Sequence, residues 1–169
     1  MPKIIILTGP PGAGKTTIGK ILADKIKNSA IVSSDDLRYL IKNGKAKIED
    51  KNFEEQLQLG VANAILLAKS FYKNGFNVFL DDILLEDKFN IYYNSLKKYN
   101  LKIILLMPNK EMLAKRDLER GEWAMKERAI RLHDKFTRFS KNKKEFIVID
   151  SSNQIPDKTA EEIIKKSGL

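Results

Sequence analysis

Cysteine is absent from the chain. That excludes disulfides, a thiol nucleophile and a cysteine-bound zinc. Histidine and tryptophan occur once each, as His133 and Trp123. No run of 18 apolar residues exists, and the first apolar stretch is too short for a signal peptide. A cytoplasmic protein without a membrane partner is the expectation. Internal repeats, linkers and low-complexity segments are also missing, so residues 1–169 are expected to form a single domain. With 43% hydrophobic residues among 169, the chain can build a real core. Its net charge of +9 fits a polyanionic partner, or a lysine-rich surface without one, as in a heat-adapted source. The lysines look scattered, and no single run resembles a nucleic-acid arm.

Against these absences stands one dense stretch, Gly9-Pro10-Pro11-Gly12-Ala13-Gly14-Lys15-Thr16. A glycine, four free positions and Gly-Lys-Thr form the phosphate-binding loop pattern. An apolar run, Lys3 to Thr8, precedes it, and Ile18, Ile21, Leu22 and Ile26 follow at helical spacing. Strand, loop and helix are the context that the pattern needs. Glycines let phosphates lie against bare backbone N–H groups, and the helix start adds a positive dipole end. Gly9, Pro10, Pro11, Gly12, Ala13, Gly14, Lys15, Thr16 and Thr17 are therefore the candidate ATP-binding residues. Lys15 reaches the outer phosphates, and the Thr16 hydroxyl suits Mg²⁺. A dinucleotide fingerprint is excluded, because Thr17 stands where its last glycine is required.

Further apolar runs at 30–33, 76–81, 102–107 and 146–149 alternate with helical patterns at 53–73, 87–98, 110–119 and 126–139. Another helix is expected from Asp36 to about Asn43-Gly44, and a last one after Pro156. Continuous apolar strands separated by helices predict a doubly wound α/β domain of five parallel strands. Its ligand would lie at the carboxyl ends of the strands.

Acids follow two of the strands. Asp35, Asp36 and Arg38 come after the second. Asp35, with Asp36 as the alternative that the sequence alone does not separate from it, would orient or deprotonate an acceptor hydroxyl, and Arg38, a turn later, would hold the acceptor or steady charge. Helix capping by Ser34 or Asp35 is the structural alternative. Asp81 and Asp82 close the third strand. Acid there binds the water shell of Mg²⁺, and Asp82 is taken as the metal residue, with Asp81 as the alternative. Arg116 and Arg120, four apart before Gly121, would cover the transferring phosphoryl group from a lid at about 116–128. Arg128 and Arg131 are weaker candidates for the same task. Trp123 would stack on a base or simply pack, and His133 is expected to be a packed residue.

In Gly9 to Thr17, Asp35-x-x-Arg38, Val78-Phe79-Leu80-Asp81-Asp82 and Lys115 to Gly121 the chain resembles the small P-loop kinases. The likeness is to polynucleotide 5′-kinase domains, to the phosphoseryl-tRNA kinase and chloramphenicol phosphotransferase group, and to zeta-toxin relatives. It implies an α/β/α fold with strand order 2-3-1-4-5 and a helical lid. It further implies Asp35 as base, Arg38 on the acceptor or phosphate, Arg116 and Arg120 in the lid, and Asp82 beside acceptor and metal. The extra RNA-binding part of the tRNA kinase and the phosphatase that often follows the polynucleotide kinase have no counterpart here, which leaves the acceptor open. The expected function is Mg·ATP-dependent phosphoryl transfer to a hydroxyl, of a small molecule by preference, of a nucleic-acid end as the alternative. A nucleotide-dependent switch without acceptor is the competing class.

Overall fold

Residues 1–119, 121 and 127–169 are described by the structure, a computed structural model. Five strands, β1 (Ile4–Thr8), β2 (Ser29–Ser33), β3 (Asn77–Asp81), β4 (Leu101–Leu106) and β5 (Phe146–Ile149), form one sheet. All pairings are parallel, in the order β2-β3-β1-β4-β5. Every residue of the central β1 is buried. That is why its sequence runs apolar without alternation: both faces are covered.

The pleat divides those runs between two cores. Ile4, Ile6, Val78, Leu80, Ile103 and Leu105 pack with side chains of α3 (Phe53–Lys73) and α4 (Glu86–Leu96). Ile5, Leu7, Phe79, Ile104 and Leu106 pack instead with α1 (Lys15–Lys25) and α7 (Pro156–Ser167). The result is three layers, helix on sheet on helix. Remaining helices are α2 (Ser34–Tyr39), α5 (Lys110–Leu118) and α6 (Glu127–Ser140).

Local chemistry sets the element ends. Asn109 caps α5, its side chain accepting from the Met112 N–H at 2.8 Å. Past α3, Gly75 at φ +86° reverses the chain into β3. One expected helix is shorter and starts earlier than its sequence suggested. The Ser33 hydroxyl accepts from Asp36 N–H at 3.2 Å, so α2 begins at Ser34, and neither Ser34 nor Asp35 is the cap. It stops at Tyr39 rather than near Asn43-Gly44. Beyond it, Gln56 of α3 fastens a turn by bonding the Gly44 carbonyl and the Ala46 N–H, both at 2.8 Å.

Candidate active site

Register places the chemistry. Leu7 pairs with Asp81 on one side and Ile104 on the other, so β1 and β3 end level. The glycine loop therefore leaves β1 beside the acids that leave β3. Between loop, acids and the start of α2 lies a cleft of about 720 Å³. Asp35, Asp36, Asp81, Arg116, Glu119 and Ser151 line it together with residues 11–18.

The loop is built on its glycines. Gly9 has φ +144°, and a Cβ there would stand 2.3 Å from the Leu106 carbonyl oxygen. The loop can pass the end of β4 with no side chain at that point. Gly14, at φ +96°, is the left-handed residue that opens α1. Inside the curve, the Lys15 ammonium donates to the carbonyls of Gly9 at 3.1 Å and Pro10 at 3.2 Å.

The two acids that follow Leu80 have different partners. The Thr16 hydroxyl donates to Asp81 Oδ2 at 2.6 Å, not to Asp82. Asp81 extends the face of Phe79, which packs with Ile18 and Leu22 of α1, the helix that carries Thr16. Asp82 extends the face of Leu80, toward α3 and α4. Asp82 also lines the cleft, so the bond to Thr16 is what distinguishes the two acids. Burial pushes the Asp81 carboxyl above its ordinary range, and Asp82 and Asp35 add repulsion; Lys15 and Thr16 pull the other way. Asp81 and Thr16 are two hard oxygen donors in contact, which suits Mg²⁺, an ion that needs few protein ligands.

Asp82 is occupied otherwise. It is only 7% exposed. Its Oδ1 accepts from the Ile83 N–H at 2.7 Å and the Lys88 ammonium at 2.8 Å; its Oδ2 accepts from the Tyr92 hydroxyl at 2.8 Å. Burial and the Asp82 charge raise the Tyr92 phenol, while Ser34 in the first turn of α2 pulls the other way. From α3, Gly60 approaches the same turn: a Cβ there would stand 2.9 Å from the Ser34 carbonyl oxygen. The turn that carries Asp35 thus lies directly against α3 at Gly60. Gly60 was not visible as functional in the sequence, because it acts across the fold on a neighbour of the acid.

The arginines separate. Arg116 lines the cleft and is fastened to the loop after β5, donating to the Ser151 hydroxyl at 3.2 Å and carbonyl at 2.7 Å. Arg38 is not among the residues that line the cleft, contrary to the sequence expectation. It packs back against α3, its guanidinium 4.9 Å from the Phe53 ring centre. Its Nε and Nη1 are buried without an acceptor among the described residues. Arg120, Trp123 and much of the expected lid lie outside the described residues. His133 packs, with Nε2 3.1 Å from the Pro108 carbonyl oxygen. No helix is long and apolar enough to cross a membrane among the described residues.

The chain is similar to known proteins in sequence and in fold. Residues 1–167 match the family described as zeta toxin. Adenylate kinase of Rickettsia akari (strain Hartford) is 38% identical over 125 residues, which cover 69% of this chain and 58% of that protein. The chain thus spans 58% of the length of that curated relative. The structure of the Deinococcus radiodurans tunicamycin resistance protein superposes with a TM-score of 0.75 at 15% identity, over 100% of this chain and 97% of that one. A sugar kinase from a Janibacter species gives a TM-score of 0.68 at 16% identity, over 98% and 94%. At such identities the likeness is one of fold, the three-layer P-loop kinase fold.

Proposed function

The chain belongs to the zeta toxin family, and from that footing we propose that it is a Mg·ATP-dependent kinase that phosphorylates a hydroxyl. The acceptor is a small molecule by preference, with a nucleic-acid end as the alternative. The observation that carries this reading is the meeting, in one cleft, of the loop with Lys15, the Thr16–Asp81 pair and Asp35. Residues 1–169 act as one kinase domain, with a cover formed around 116–128.

Backbone N–H groups of the loop, other than at Pro10 and Pro11, which have none, and of the start of α1 hold the phosphates, and Lys15 adds a point charge at their outer end. Thr16 and Asp81 would hold Mg²⁺, which neutralises charge on the phosphates when bound. Asp35 takes the proton of the acceptor hydroxyl and aims its oxygen. Arg116 faces the charge that spreads over the transferring group, and we assign Arg120 the same task.

The adenylate kinases suggest a second reading, a nucleotide acceptor. An ionised phosphate acceptor carries no proton that a base must remove, so Asp35 distinguishes the two. The test is transfer of labelled γ-phosphate from ATP to a panel of oligonucleotides, nucleosides, adenylates, sugars and aminated antibiotics, at two salt concentrations. A labelled alcohol whose formation falls by about 10²–10⁴-fold in Asp35→Ala, with ATP binding kept, is the expected result. Unchanged turnover in that variant removes the base. ATP loss with no labelled acceptor at all supports a switch instead.

A further inference from the structure

Positive charge is unevenly placed in this chain. Residues 128–144 hold seven basic side chains against one acid, Asp134, and so carry six of the nine net positive charges. Helix periodicity gathers them. At 3.6 residues per turn, Arg128, Arg131, Lys135 and Arg138 of α6 fall within an arc of about 80° and span about 15 Å. All four are exposed, as are Lys141 and Lys144 just past the helix end.

Among the described residues, few of these charges are taken up locally. Asp134 is held by Lys110 of α5 at 2.6 Å, and Glu127 stands 3.7 Å from Arg131. Lys143 lies over the rings of Phe89 and Phe139 and belongs to the core edge. The apolar side of α6 faces inward, with Ala129 and Phe136 buried. No large apolar side chain of α6 is among the exposed ones.

That composition selects the partner. Protein interfaces centre on apolar or aromatic anchors, and α6 offers none outward. A membrane-bound amphipathic helix sinks its apolar face into lipid, and here that face is in the core. A nucleic-acid backbone asks only for a row of cations. We infer that the outer face of α6, continued by Lys141 and Lys144, docks the sugar–phosphate backbone of a nucleic acid without reading its sequence. This surface is separate from the cleft and independent of which acceptor is phosphorylated.

The experiment is fluorescence anisotropy of labelled, mixed-sequence single-stranded RNA, about 20 nucleotides long, with the full chain and no ATP. Salt is varied from about 50 to 200 mM. Neutralising three or four phosphates gives a slope of log K against log salt of about −2 to −3. A variant with Lys135→Gln, Arg138→Gln, Lys141→Gln and Lys144→Gln should bind at least about tenfold more weakly at the lowest salt, with most of the slope gone. Its ATP turnover and Tm should match the parent. A charge-conserving variant, with Lys135→Arg, Arg138→Lys, Lys141→Arg and Lys144→Arg, should bind normally, which separates lost charge from lost fold. Parental slope and affinity in the glutamine variant would overturn the inference. So would a parent that binds phosphatidylserine vesicles and not RNA.

Discussion

At Asp81 burial and function oppose each other. Its carboxyl is lifted above the ordinary value of 3.8, first by burial and then by Asp82 and Asp35. The folded chain therefore holds this proton more tightly than the unfolded chain does. Stability is lost as pH rises from 3.8 through the raised value, and the charged form is the penalised one at neutral pH. Asp81→Asn keeps an acceptor for Thr16 and removes the charge. Its Tm at pH 7, without nucleotide, should exceed the parent's by about 2–4 °C, which corresponds to about 1 kcal/mol. The gap should close below pH 3.8, where the parent is also neutral. In the same scans the extra stabilisation that Mg²⁺ adds to ATP should vanish. Asp82 answers differently. Tyr92→Phe leaves a buried carboxylate oxygen short of its donor and should destabilise by about 1–3 kcal/mol in denaturant titration.

Helix α2 carries Asp35, the proposed base, and it is only six residues long. So short a helix has little stability of its own. Its first turn is fixed by the Ser33 cap and by the close pass of α3 at Gly60. Gly60→Ala puts a methyl group 2.9 Å from the Ser34 carbonyl oxygen, so α2 and α3 must part. A displacement near 1 Å at a catalytic group costs about 10²-fold. Steady-state kinetics should show kcat reduced by about that factor with KM for ATP nearly unchanged, because the glycine loop is on another element. An equal loss in both constants would mean a general structural defect.

Across the whole molecule, ligand binding and folding are coupled. Any ligand that selects the folded chain adds about 2.7 kcal/mol of stability at a hundredfold excess over Kd. For a chain of this size that is a rise of about 5–10 °C in Tm. Mg·ATP should produce it in thermal scans, and Lys15→Ala, which loses the cation inside the loop, should show little of it. The fold that makes this coupling possible was legible early, because its evidence is local. Lys3 to Thr8 reads as a doubly covered strand, Gly9 to Thr16 as a phosphate loop, and Asn109 and Gly75 as helix ends, each within a few residues. The strand order came from the family resemblance and agrees with the sheet.

What the sequence by itself determined was the phosphate loop, the α/β alternation and the presence of acids after the second and third strands. Local spacing is enough for those. Which acid meets Thr16, where Arg38 points, and that Arg128, Arg131, Lys135 and Arg138 lie exposed along α6 were decided by the tertiary structure. The reason is geometric: a side chain's neighbours depend on the face its strand or helix turns outward, and packing against elements far away in the chain sets that face.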